Sequence, residues 1–272
     1  MTTPDDTEEK FVVSLQRSLE ILRCFRHGTG PFSMPEIAVR TGLPKPTANR
    51  LLHTLLHLGC VERLSNGRYR PGPRTVALGR SLLGALPIRN AARPFMQALA
   101  ERHDVSVALG AAHGTEMICL EYCVGTHTMS GRLQVGSILP MARTVMGRAY
   151  VWALVASDRE AELAGLILQT GDDALPLEQA IRLAFAELDR QGFCTSRDPW
   201  RPEAFALGAP LILDHGGTVL ALTCAAPSLG LDEQAMSIRC GPDLVRTVEA
   251  IRSAVDPMDA EWLGLTAASG LP

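Results

Sequence analysis

Ser33-Met34-Pro35-Glu36-Ile37-Ala38-Val39-Arg40-Thr41-Gly42-Leu43-Pro44-Lys45-Pro46-Thr47-Ala48-Asn49-Arg50-Leu51-Leu52 contains two helical patterns that meet at a glycine. Ser33 opens the first, with Glu36 three residues on to complete a capping box. Pro35 suits the first turn, where an amide has no partner anyway. Ile37 and Ala38 are expected to face inward. Thr41-Gly42-Leu43 breaks the helix, because Gly42 is free to take a left-handed backbone. A second helix is expected from about Lys45 to Leu58, with Leu51, Leu52, Leu55 and Leu56 as its apolar stripe. Gly59 stops it.

The flanks complete a unit. Upstream, Leu15, Leu19, Leu22 and Phe25 recur at helical spacing, with Ser14 placed to cap the start. Downstream, Val61–Leu64 and Arg68–Arg70 read as strands joined by Ser65-Asn66-Gly67, and Asn-Gly is a strong hairpin signal. Three helices and a hairpin in this order make a winged helix-turn-helix. The second helix braces the third, whose exposed N-terminal part meets base edges in a major groove. The outward face of that third helix offers Lys45, Thr47, Asn49, Arg50 and His53. Arg can pair with guanine and Asn with adenine, while Lys45 and Thr47 also suit phosphates. The hairpin adds Arg63, Arg68 and Arg70. The competing reading is a basic three-helix module that binds protein.

Charge supports the nucleic-acid reading. The 272 residues carry 26 Lys and Arg, 29 Asp and Glu and 7 His, a net of -3. Residues 1–86 hold 12 basic against 7 acidic residues, and four of those acids lie in the first ten positions. The remaining 186 residues carry a net of -8. Such a split suggests that only the front part meets a polyanion. An apolar fraction of 46% with 20% charged residues excludes collagen-like, coiled-coil and wholly disordered chains. No apolar run approaches the ~18 residues of a membrane helix. The polar, acidic start does not read as a signal peptide. Seven scattered cysteines suggest reduced thiols in a cytoplasmic chain.

The organisation expected is a disordered tail over 1–10 and a winged helix-turn-helix over 11–73, its helix-turn-helix at about 33–52. A linker helix over 74–87, an effector-binding domain over 88–258 and a tail over 259–272 follow. In the second domain, helices are expected at Ile88–Arg102, kinked by Pro94, and at Thr144–Val155, Asp158–Leu168, Leu177–Gln191 and Gly241–Val255. Strands are expected at Val105–Ala111, Glu116–Tyr122, Arg132–Val135, Gly208–Leu213 and Thr218–Cys224. Local hairpins rather than regular βαβ units make this α+β with a largely antiparallel sheet.

Several motifs occur in one order along nearly the whole chain. They are Glu36-Ile37-Ala38, Thr41-Gly42-Leu43-Pro44-Lys45, Asn49-Arg50-Leu51-Leu52, Tyr69-Arg70-Pro71-Gly72, Val135-Gly136-Ser137-Ile138-Leu139-Pro140-Met141, Gly147-Arg148-Ala149, Gly192-Phe193, Gly208-Ala209-Pro210-Leu211 and Ala221-Leu222-Thr223. Together they resemble the IclR-type transcriptional regulators. The resemblance implies a winged helix-turn-helix followed by a GAF-like effector-binding domain. It also implies a homodimer or homotetramer on double-stranded operator DNA, and a small organic or aromatic acid that controls a catabolic operon. Carried onto this chain, the effector pocket falls at Met141, Arg143, Val145, Met146, Ser196, Ala206, Thr223 and Ala225. Pro46 stands where the family commonly has Ser. Val145 and Met146 are bulkier than usual, which would shrink the cavity or favour an apolar ligand. Arg143 would clamp a carboxylate if it faces the pocket.

No cofactor, metal or catalytic residue is expected. The chain has no Gly-x-Ser-x-Gly elbow, phosphate-cradling Gly-Lys-Ser/Thr loop or Gly-x-Gly-x-x-Gly motif. An enzyme with a helix-turn-helix appendage is one alternative. Another is a metal or redox sensor, since Cys119-x-Glu121-x-Cys123 would place three ligands on one strand face.

Overall fold

The computed structural model describes residues 11–25, 30–126, 133–170, 173–197, 203–213 and 217–255. The expected tails at 1–10 and 259–272 lie outside them. The protein is α+β and divides into two compact units, residues 1–85 and 86–272.

The first unit contains α1 (Val13–Arg23), α2 (Met34–Thr41), α3 (Lys45–His57), a hairpin of β1 (Val61–Arg63) and β2 (Tyr69–Pro71), and α4 (Pro73–Gly84). The capping box forms at Ser33 and Glu36, and Gly42 takes φ +65° at the end of α2. Pro46 sits in the first turn of α3, where its missing amide leaves no bond unmade. Ile21, Ile37, Leu51, Leu52, Leu55, Phe32, Val61 and Tyr69 form the core. One expectation about an apolar stripe and one about a cap fail. Leu15 and Leu19 are exposed, because Ile21 supplies the inward contact of α1. Ser14 lies within that helix, behind an N-cap at Val12, and does not cap it. In α4 no residue is buried at all.

The second unit contains α5 (Pro87–His103), β3 (Ser106–His113), β4 (Glu116–Val124), β5 (Ile138–Pro140), α6 (Val145–Ala153), α7 (Ala156–Leu168), α8 (Ala174–Gln191), β6 (Cys194–Arg197), β7 (Ala204–Leu213), β8 (Thr218–Pro227) and α9 (Glu233–Ala254). The sheet order is β5-β4-β3-β8-β7-β6, antiparallel throughout. Helices α5 and α9 cover one face, and α6, α7 and α8 the other. This is the GAF-like layering.

Three expected boundaries are corrected. The strand near Val135 falls instead at Ile138–Pro140, because Gly136 takes φ +84° in a turn. β6 was not foreseen. The last helix begins eight residues before Gly241, where Asp232 accepts the amide of Ala235 at 2.9 Å. Gly241 is needed inside that helix because the Phe193 ring occupies the place of its side chain.

The proposed cysteine face is also corrected. Leu109 pairs with Glu121 but Gly110 pairs with Cys119, so Leu120 is an extra residue, a β-bulge. Cys119 packs with Met117 and Met146 under α6, whereas Cys123 packs with Leu120 on the α5 side. Burial pushes the Cys119 thiol up to about 12 and raises that of Cys123. Among the described residues no three His, Cys, Asp or Glu groups could hold a metal ion. The bulge turns Glu121 towards α5, where the buried carboxylate accepts from Arg89 at 2.9 Å and Arg93 at 2.8 Å.

A second buried carboxylate joins α5 to α9. His103 Nε2 lies 2.7 Å from Asp243 Oδ2, and Arg102 and Arg246 also reach that group. His103 Nδ1 is buried with no partner among the described residues. Burial, then the charges of Arg239 and Arg102, lower the imidazole pKa. The neutral ring therefore donates from Nε2 and leaves a lone pair on Nδ1. Since folding lowers this pKa, the unfolded chain takes up the proton first. The associated stability is present above about pH 6.5 and is lost as pH falls through the folded value. Denaturant unfolding between about pH 7.5 and 5.5 is expected to show this loss. His103→Gln is expected to flatten it, and an unchanged slope would place the dependence on other groups.

Candidate functional site

In the first unit, α3 turns Ala48, Leu51, Leu52 and Leu55 inward, so helical spacing alone exposes Lys45, Asn49, Arg50 and His53. Thr47 is half-buried beside them. Neither Lys45 nor Arg50 enters an ion pair among the described residues. The hairpin beside α3 turns through Gly67 at φ +78°, with Asn66 Oδ1 accepting the Arg68 amide at 3.1 Å.

The arginines of the hairpin are not alike. Arg68 donates from Nε to the Pro31 carbonyl at 2.8 Å and reaches Glu36 at 2.9 Å. Arg70 pairs across the strands with Glu62 at 2.8 Å. Arg63 is exposed, makes no ion pair among the described residues and lies over the Tyr69 ring, 5.9 Å from its centroid.

In the second unit, sheet register brings together four of the expected effector residues. Ser196 pairs with Ala206, and Ala206 with Ala225, in one cross-strand row that continues to Ser106. The next row holds Cys194, Gly208, Thr223, Ala108 and Tyr122. Nearly all of these side chains are small, so this face of the sheet is a shallow floor. Met141, Val145 and Met146 are buried in the wall above it. The bulk of Met146 is absorbed where Gly110 has no side chain. It therefore fills a notch in the sheet.

The glycine in Gly147-Arg148-Ala149 has a mechanical cause. A side chain there would strike the backbone of Met141, and Thr144 caps the helix by accepting the Gly147 amide at 3.2 Å. Arg143 is paired with Asp173 at 2.8 Å at the start of α8. The buried cation is instead Arg148, which is 4% exposed and donates to Ser196 Oγ at 3.2 Å. Sequence reasoning missed it because a lone arginine in an apolar helix carries no sign of which way it faces. A separate groove of about 500 Å³, lined by Gln191, Phe193, Ser237, Ile238, Pro242 and Val245, contains none of the expected residues.

Comparison with known proteins identifies the family. The IclR helix-turn-helix domain matches residues 14–65, and the C-terminal domain of the bacterial IclR regulators matches residues 80–253. The chain belongs to the IclR family of transcriptional regulators. Among its relatives, the HTH-type transcriptional regulator TsaQ1/TsaQ2 of Comamonas testosteroni is 29% identical over 92% of each chain. An IclR family regulator from Brucella abortus is 32% identical, with a TM-score of 0.82 over 91% of this chain and 94% of that one. An IclR homologue of Microbacterium hydrocarbonoxydans, crystallised with 4-hydroxybenzoate, shares the fold at 22% identity and a TM-score of 0.71, over 89% of this chain and 98% of that one. Among the described residues of this IclR regulator, no helix is long and apolar enough to cross a membrane.

The close approach of α6 to the sheet is testable. A Cβ on Gly208 would stand 2.6 Å from the Val145 carbonyl oxygen, against backbone that cannot swing aside. Gly208→Ala is expected to cost roughly 1–3 kcal/mol in urea unfolding, as overpacking does. A neutral result would mean that α6 can lift from the sheet.

Proposed function

We propose that this IclR regulator binds double-stranded operator DNA through α3, controls a catabolic operon, and responds to a small organic or aromatic acid. The outward face of α3 carries the first part of this reading. It presents Lys45, Asn49, Arg50 and His53 beside a docked hairpin, with no carboxylate paired to Lys45 or Arg50 among the described residues. Arg50 and Asn49 read base edges, and Lys45 and Thr47 hold phosphates. The chain acts by binding rather than turnover, in the cytoplasm and without a cofactor.

The working form is a homodimer or homotetramer. Leu15 and Leu19 of α1, with Phe11 and Val12 before it, are exposed, and so are Val76, Leu78 and Leu82 of α4. Apolar helix faces of this kind favour burial against a second copy. A two-fold pair would also present two recognition helices to two half-sites.

The effector lies over the floor formed by Ser196, Ala206, Thr223 and Ala225, within the wall of Met141, Val145 and Met146. Arg143 belongs at the rim, held by Asp173. The 4-hydroxybenzoate held by the Microbacterium homologue supports an aromatic acid as the first probe. Binding alters the DNA response only if the ligand favours one arrangement of the assembly over another.

Two measurements test these assignments. Arg50→Ala is expected to weaken operator binding by roughly 1–3 kcal/mol and to relax preference at one base pair, read by gel shift on base-substituted duplexes. Unchanged affinity and preference would remove Arg50 from base reading. In a thermal-shift screen that starts with 4-hydroxybenzoate, a ligand at 100 times its Kd is expected to stabilise the native state by about 2.7 kcal/mol. No shift with any organic acid would overturn the effector class.

A further inference from the structure

The hairpin is fastened to the helix-turn-helix beside the entry to α2 as well as through the shared core. Glu36, at the third position of α2, accepts the Ser33 amide at 2.7 Å and the Ser33 hydroxyl at 2.6 Å. The same carboxylate meets Arg68 at 2.9 Å. Arg68 also donates from Nε to the Pro31 carbonyl at 2.8 Å, so its fork spans the residues that lead into α2. Beside it, Phe32 and Tyr69 exchange two backbone hydrogen bonds, of 2.9 Å and 2.6 Å, and form an isolated β-bridge. The entry to α2 thereby becomes a third strand of the hairpin. The Ser33 hydroxyl, the Ser33 amide and Arg68 hold the Glu36 carboxyl down at a pKa of about 2, so the joint is charged at any physiological pH.

We infer that Arg68 is a positioning residue that clamps the hairpin to α2, and that Arg63 makes the hairpin's phosphate contact. This rests on the DNA-binding reading given above. The guanidinium of Arg68 is committed to a carboxylate and a carbonyl, and Arg70 is neutralised by Glu62. Arg63 keeps its charge without a carboxylate partner among the described residues. Its Nη2 lies 3.8 Å from where a Gly67 side chain would begin, which places it at the tip of the hairpin. A hairpin fixed in advance binds without the cost of ordering it on each encounter.

The experiment uses the full chain and a duplex selected by the wild-type chain from a random-sequence library. Affinity is measured over a range of potassium chloride for the wild type and four variants. Melting curves accompany each to confirm folding. Arg63→Ala is expected to reduce the slope of log K against log salt by about one, as loss of a phosphate contact does. Arg68→Ala is expected to weaken binding on the order of tenfold with the slope unchanged. Arg68→Lys should be as weak as Arg68→Ala, because an ammonium lacks the fork that spans Pro31 and Glu36.

Glu36→Gln separates the two roles most sharply. Glutamine keeps the capping box, and removal of a negative charge near DNA should tighten binding by simple electrostatics. The clamp predicts weaker binding instead, equal to that of Arg68→Ala. A slope lowered by about one in Arg68→Ala, full affinity in Arg68→Lys, or tighter binding by Glu36→Gln would overturn the clamp and leave the DNA-binding reading intact. An unchanged slope in Arg63→Ala would overturn the phosphate contact. Failure of the wild-type chain to enrich any duplex would bring down both this inference and the reading beneath it.

Discussion

One carboxylate, that of Glu36, ties the hairpin of the first unit to its helix-turn-helix. It caps α2, and it holds Arg68, which ties the hairpin to the segment before that helix. An exposed ion pair is ordinarily worth little, because water competes for both partners. This one differs in its geometry. Glu36 accepts two bonds from Ser33 before Arg68 arrives, and Arg68 has a second acceptor in Pro31. Each bond lowers the cost of ordering the next. Packing adds to it, since Phe32 and Tyr69 are buried side by side in the small core and Arg40 lies 4.1 Å over the Phe32 ring. The hairpin is thus a part of the helix-turn-helix and not an appendage to it.

The second unit is governed by a different constraint, the close approach of backbone to backbone. Gly110, Gly147 and Gly208 remove side chains where α6, the loop before it and the sheet come together. The helix can then lie low on the strands, and the floor beside it is built from Ser, Ala, Thr and Cys. On the opposite face the residues are large, with Leu109, Leu207, Leu211, Leu220 and Leu222 packed beneath α5 and α9. The sheet is asymmetric by composition. One face packs large side chains beneath α5 and α9, while the other packs small ones beneath α6, α7 and α8. The bulge at Leu120 falls in β4, where Glu121 must turn to α5 for its arginines while Tyr122 stays with the floor.

Most of the first unit was legible because its signals are local. Ser33 and Glu36, Gly42, and Asn66-Gly67 act within four residues of themselves, and their conformations follow from their own chemistry. The cross-strand neighbours Ser196, Ala206 and Ala225 were reached through the family resemblance, and the register then showed why they converge. What escaped was decided at long range. Gly241-Pro242 looks like a helix start, but the Phe193 ring requires that glycine inside α9. The alternation of Cys119 and Cys123 looks like one face, but an inserted residue breaks the period between them. Arg143 and Arg148 are five residues apart, and only the fold shows that the first meets Asp173 and the second is buried against Ser196.

The charge of the first unit shows how the same limit bears on function. Residues 11–86 hold 11 basic and 3 acidic residues, which by count alone makes the whole surface a candidate for DNA. The acids are few but not idle. Glu36 and Glu62 pair with Arg68 and Arg70, while Arg40 lies over the Phe32 ring. Lys45 and Arg50 on α3 and Arg63 at the hairpin tip, by contrast, have no carboxylate partner among the described residues. A count of charges does not separate paired cations from unpaired ones, and the fold does, because a cation without a carboxylate partner keeps more of its attraction for a polyanion.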